Sequence, residues 1–149
     1  MFREKRCQRG VQLVELAIAA PILMMLLAVM AEFRNYFYHY TTLAKATRAA
    51  ARYLSAKAFT ETEKGKAKNV AVCGRPDPCG AGAPGLGRLS AGNIEITYTG
   101  GAILPRTVTV RIIGYRYRPV FDLGKWTGGQ SWANVDISPS TTMRYLLEN

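Results

Sequence analysis

The stretch Arg9-Gly10-Val11-Gln12-Leu13-Val14-Glu15-Leu16-Ala17 lies where a basic leader meets an apolar run, and its reading decides the layout of the chain. Before it, Arg3, Lys5, Arg6 and Arg9 stand against one acid, Glu4; after it, Leu16 to Ala31 holds no charged residue. Such a run, prolonged on both sides by helix-compatible sequence, suits a membrane-crossing helix. Glu15 therefore sits at the edge of that segment, where an ionised carboxylate loses hydration and needs a partner. A cut after Gly10 would supply one. Val11 would then carry a free ammonium four residues before Glu15, one helical neighbour away.

Two simpler readings of the same residues stand beside this one. The basic leader and apolar run could form an ordinary secretory signal with Val29-Met30-Ala31 as its small-residue cut, or an anchor that is never cut. Against ordinary secretion, Glu15 and Pro21 interrupt the apolar half, and helical sequence continues past Ala31.

The segment from Arg9 to Ala17 resembles the processing site of class III signal peptides. More narrowly, the chain is similar to TadE-like minor pseudopilins of the tight-adherence (Flp) pilus system. The shared features are the short basic leader, the Val14-Glu15-Leu16-Ala17 start, Pro21 within the membrane run and the Ala/Arg-rich helix from Ala44 to Tyr53. Many relatives carry Phe where this chain has Leu16. The match spans roughly residues 9 to 55. It implies cleavage between Gly10 and Val11, with Glu15 serving recognition and assembly. The partners it implies are a prepilin peptidase, other TadE-, TadF- or TadG-like minor pseudopilins, the Flp major pilin, and the inner-membrane platform and ATPase. The expected fold is α+β and pilin-like. A leader occupies residues 1–10, and a long helix occupies 11–59 with its membrane span at about 13–35. A small domain follows at 60–149, with a short helix and three or four antiparallel strands.

Charge and cysteine usage fit that layout. The leader's four basic residues and one acid account for three of the ten net positive charges, leaving +7 on a processed chain. Positive residues before the span favour a cytoplasmic N-terminus, which places the rest in the periplasm of a single-pass inner-membrane protein, or on a surface pilus. Cys7 falls in the leader, while Cys73 and Cys79 fall in the exported part and close a short loop containing Pro76 and Pro78. An oxidising periplasm permits a disulfide there; two free thiols are the alternative. A zinc site would need four ligands, and the single histidine, His39, lies far off in the helix.

Beyond the span, Phe33, Phe37, Tyr40 and Ala44 recur at helical spacing and predict a packing stripe. Tyr36, Tyr38 and Tyr40 fit an interfacial aromatic belt. Lys45, Arg48 and Arg52 predict a solvated basic face beside the small residues Ala46, Ala49 and Ala50. That small-residue face could pack on the globular domain or on neighbouring pilin helices. A break near Ser55 to Thr62 should precede a second helix that runs to about Val72 and ends at Gly74.

Residues 74–92, with six Gly and three Pro, read as loop. The Gly80 to Gly85 match to a dinucleotide fingerprint is accidental, because no strand precedes it and Pro84 opposes a helix start. Strands are predicted where Ile94, Ile96 and Tyr98 alternate with Glu95, Thr97 and Thr99, and where Val108, Val110 and Ile112 alternate with Thr107, Thr109 and Arg111. The phase then flips. A bulge at Ile113-Gly114 would turn Tyr115 and Tyr117 inward; without it, Arg111, Tyr115, Arg116, Tyr117 and Arg118 form an exposed aromatic-basic surface. A last strand is expected at Thr141 to Leu147. Trp126 and Trp132 flank a further loop, as core anchors or a contact patch.

No catalytic constellation emerges. One histidine beside the membrane and Asp77, Asp122 and Asp136 in separate segments give neither a nucleophile-base pair nor paired carboxylates. No cofactor or metal is expected. Two non-enzymatic classes remain: a minor pseudopilin, or an anchored module whose Arg111 to Arg118 surface contacts DNA or another anionic surface. Nucleic acid is the weaker expectation, since those arginines also read as a solvated strand face.

Overall fold

The computed structural model describes residues 4–79, 88–101, 105–120 and 135–146. The chain divides into two compact units, Met1–Asn35 and Tyr36–Asn149. A single helix, α1 (Glu4–Ser55), contributes to both. Within the first unit it continues through Pro21, whose missing N–H leaves the Ala17 carbonyl without its usual helical donor. Among the described residues, α1 alone is long and apolar enough to cross a membrane.

The second unit is α+β. It contains residues 36–55 of α1, a second helix α2 (Glu61–Cys73), a 3-10 turn (Ala91–Asn93) and three strands: β1 (Ile94–Gly100), β2 (Pro105–Ile112) and β3 (Ser140–Arg144). The strands form an antiparallel sheet in the order β1-β2-β3. Pairing of Ile94 with Ile112, Ile96 with Val110 and Tyr98 with Val108 sets the apolar residues of β1 and β2 on one face, and Met143 of β3 joins them opposite Val108. Because side chains alternate along a strand, that register leaves the other face polar. There Thr99 meets Thr107 at 2.5 Å and Thr109 meets Thr142 at 2.7 Å, hydroxyl to hydroxyl.

The apolar sheet face is covered by the helices. On α1 the buried positions are Leu43, Thr47, Ala50, Ala51, Leu54 and Ser55, spaced as one helical face requires. The alanines let the helix backbone approach the sheet, so Ala50, Ala51 and Leu54 share one core with Ala67 and Ala71 of α2 and with Ile94, Val108, Val110 and Tyr145. Thr47 is polar and fully buried. Its hydroxyl lies 3.0 Å from the Ala44 carbonyl, to which it donates, and 2.9 Å from the Thr141 hydroxyl. A satisfied buried hydroxyl of this kind stabilises by about 1 kcal/mol, whereas an orphaned one costs more than that. The basic residues Lys45, Arg48 and Arg52 are exposed.

The expected packing stripe is displaced around the helix. Phe33 and Phe37 are 67% and 55% exposed, and Tyr40 is also exposed. The inward face instead carries Tyr36, His39 and Leu43. A helix that is apolar over most of its circumference offers several stripes at the same period, and the buried one here includes His39 and Thr47.

Both helix ends are answered chemically. The last four carbonyls of α1 have no donor in the helix. Ser55 Oγ donates to Arg52 O at 2.9 Å, and the N–H groups of Ala56 and Lys57 donate to Tyr53 O and Leu54 O at 3.4 Å. The N–H of Leu146, just past β3, donates to Ser55 O at 2.9 Å. Tyr145 Oη also donates to Lys57 O at 2.6 Å, and Phe59 lies edge-on to Tyr98 with ring centroids 4.9 Å apart. These contacts hold the linker between the helices. The Thr60 side chain caps α2 by accepting from the Glu63 N–H, and Glu61 and Glu63 place negative charge in the first turn, where the helix dipole favours it. Gly74 ends α2 in the left-handed region, φ +75°, with its N–H donated to Val70 O, a conformation in which a Cβ is strained.

Candidate functional site

The sequence directs attention first to residues 10–17. There α1 is continuous, so Val11 and Glu15 are separated by one helical turn and lie on the same side of the helix. Val11, Leu13, Val14 and Leu16 are all exposed, as is Glu15. A Cβ placed on Gly10 would meet nothing within 4 Å. Among the described residues nothing therefore requires a glycine at that position. The exposed apolar surface continues through Ile22, Leu23, Met24 and Met25 to Met30, around the whole helix and over a length that is unfavourable in water.

The second candidate lies where α2 ends. Cys73, buried in the last turn, and Cys79 are joined by a disulfide, with S–S 2.09 Å and Cα–Cα 5.9 Å. The Asn69 side chain donates to Pro76 O at 3.2 Å and ties the enclosed loop back to the helix. Among the described residues, no three His, Cys, Asp or Glu side chains converge as a metal site would need.

The third is the Arg111 to Arg118 segment, and here the aromatic-basic surface does not form. β2 ends at Ile112, and the chain turns at Gly114, φ +67°. The reversal of phase is made outside the ladder by this left-handed residue, not by a bulge within it. Asn93 holds the turn, its carbonyl accepting from the Ile113 N–H at 2.8 Å and its side-chain amide donating to Ile113 O at 3.1 Å. Backbone bonds from Ile137 N to Tyr115 O and from Tyr117 N to Val135 O then carry the segment onward beside residues 135–137.

As a result Tyr115 and Tyr117 are 4% and 3% exposed and pack with Leu43, Leu89, Ile112 and Ile137. Their rings cannot stack on bases, which requires exposed faces. Tyr117 packs edge-on to Tyr36 at 5.3 Å and to His39 at 5.4 Å, and the Tyr115 hydroxyl lies 3.0 Å from His39 Nδ1. Burial, and secondarily the nearby Arg88 guanidinium, hold His39 below the ordinary imidazole value of 6.5. Burial pushes the Tyr115 phenol up, with Arg88 opposing.

The arginines separate. Arg111 stays on the polar sheet face, opposite Glu95. Arg116 and Arg118 instead join Arg88 around a cavity of about 350 Å³, whose lining also includes Gly114 and Tyr115. Arg116 Nε faces Asp136 at 3.7 Å, both side chains largely exposed. Neither Arg88 nor His39 figured among the predicted site residues, because chain distance hides their meeting with Tyr115. Trp126, Trp132, Asp122 and the Gly80 to Gly85 stretch lie outside the described residues.

Among the described residues these features amount to one helix long and apolar enough to cross a membrane, continuous with a small α+β unit. The family model described as TadE-like protein matches residues 10–52, from Gly10 to the last turn of α1. It is the family that the Arg9 to Ala17 segment resembles, and the match is confined to α1. No curated protein and no solved structure matches the chain.

Proposed function

We propose that this protein is a minor pseudopilin that initiates or assembles a tight-adherence pilus after its leader is removed between Gly10 and Val11. The observation that carries the proposal is the coincidence of two boundaries. The family match begins at Gly10, and the basic leader ends there, at the head of the long apolar stretch of α1. In this reading the leader is 1–10, the helix with its span at about 13–35 follows, and residues 60–149 form a periplasmic domain that caps or adapts the fibre. The N-terminus is cytoplasmic before processing. A prepilin peptidase, companion minor pseudopilins, the Flp major pilin and the inner-membrane platform are its partners. The role is structural and involves no catalysis by this chain.

Mass spectrometry of the N-terminus of membrane-purified protein tests the reading. Wild-type protein should begin at Val11, and Gly10→Val or Gly10→Lys, by adding bulk at the cut, should retain the leader. Wild-type protein that still begins at Met1 or Phe2 in piliated cells would overturn it.

A further inference from the structure

We propose that the cavity bounded by Arg88, Arg116 and Arg118 is a binding site for a phosphate group. Three arginines, brought together from the segment before β1 and the segment after β2, line one cavity of about 350 Å³. Among the described residues the one carboxylate paired with them is Asp136, at 3.7 Å from Arg116 Nε. Among the described residues, three positive charges thus face one negative, an excess that an anion relieves. The planar fork of a guanidinium matches two phosphate oxygens at once, whereas Asp136 approaches Arg116 through a single Nε–Oδ1 contact at 3.7 Å. The volume holds a phosphate and the first atoms of its ester substituent.

The cavity wall is fixed by core packing. Tyr115 is buried, and its hydroxyl is hydrogen-bonded to His39. Gly114 adopts φ +67°, which sets Tyr115 inward and turns Arg116 and Arg118 outward on alternate positions. The arginine array is thus imposed by backbone geometry. A free phosphate and a lipid headgroup present the same chemistry here. The headgroup source rests on the proposed topology, in which His39 follows the end of the span by four residues; the anion site itself does not depend on that topology or on the pilus reading.

His39, the only histidine, is a single reporter beside the cavity. The full chain in micelles of a neutral maltoside detergent is titrated at fixed pH and ionic strength with inorganic phosphate and, separately, with dihexanoyl phosphatidylglycerol. The His39 imidazole resonances are followed by NMR. The expected result is a saturable shift, at least about tenfold weaker in an Arg88→Gln/Arg118→Gln variant, as loss of two charge-assisted contacts requires. It should be unchanged in Arg52→Gln, which alters an exposed helix residue elsewhere. Saturation by the lipid at about a tenfold lower concentration than inorganic phosphate assigns the headgroup; equal concentrations assign a soluble phosphate. No saturable shift with either ligand in wild-type protein, or the same affinity in the double variant, overturns the proposal.

Discussion

His39 follows a membrane-length run and yet faces the protein, hydrogen-bonded to Tyr115 and packed edge-on against Tyr117. Its position gives the unit a defined response to acid. Burial and Arg88 lower its pKa relative to 6.5, so as pH falls the unfolded chain takes up the proton before the folded one does. The stabilising contribution is therefore complete above about pH 6.5, the unperturbed value, and is lost as pH falls through the lower, folded value. Thermal unfolding of wild type and His39→Gln between neutral and mildly acidic pH should show wild type losing stability more steeply; parallel profiles would remove His39 from the account. The sequence concealed this residue's role, because its partner Tyr115 is 76 positions away and no local pattern joins them. Arg88 was concealed for the same reason. The expectations for Gly10, Val11 and Glu15, by contrast, rest on spacing along one continuous segment, which a sequence displays directly.

At the scale of elements, the parts decided by local chemistry were readable and those decided by competition between faces were not. The alternation in β1 and β2 and the Thr60 and Gly74 boundaries of α2 follow from side-chain period and capping, and each occurs in the structure. The buried face of α1 does not follow from counting apolar residues. The sheet selects the side where Ala50 and Ala51 permit close approach and where Thr47 meets Thr141, while the bulkier Phe33 and Phe37 remain exposed. The stretch after α2 depends on a different device. The Cys73 to Cys79 bridge staples a loop with two prolines to the end of the helix, and closing such a loop restricts the unfolded chain by about 2 kcal/mol. Replacing both cysteines with Ser should lower unfolding stability by about that amount and leave membrane insertion intact. Alkylation of both thiols in native, non-reduced protein would show that the bridge does not form in the cell.

At the scale of the whole molecule, the question is why a chain with a membrane-length helix keeps Glu15 at its start. A protein needing only an anchor would insert better with Leu or Gln at that position, since a carboxylate near hydrocarbon is costly without a partner. In the proposed assembling subunit the carboxylate would pair first with the Val11 ammonium of its own chain, one helical turn away, and then with that of a neighbour, setting the axial register of packed helices. The exposure of Glu15 and of the apolar residues around it leaves that side of α1 available to such a neighbour. Charge, and not size, should then decide the phenotype. Glu15→Leu and Glu15→Gln should be cleaved and inserted like wild type but assemble few pili and co-purify poorly with other pilin subunits, whereas Glu15→Asp should be partly competent. Pilus counts by electron microscopy, beside N-terminal mass spectrometry of the same membranes, separate assembly from processing. Wild-type piliation in both neutral variants would reduce Glu15 to a recognition element of the cut and remove it from the assembly mechanism.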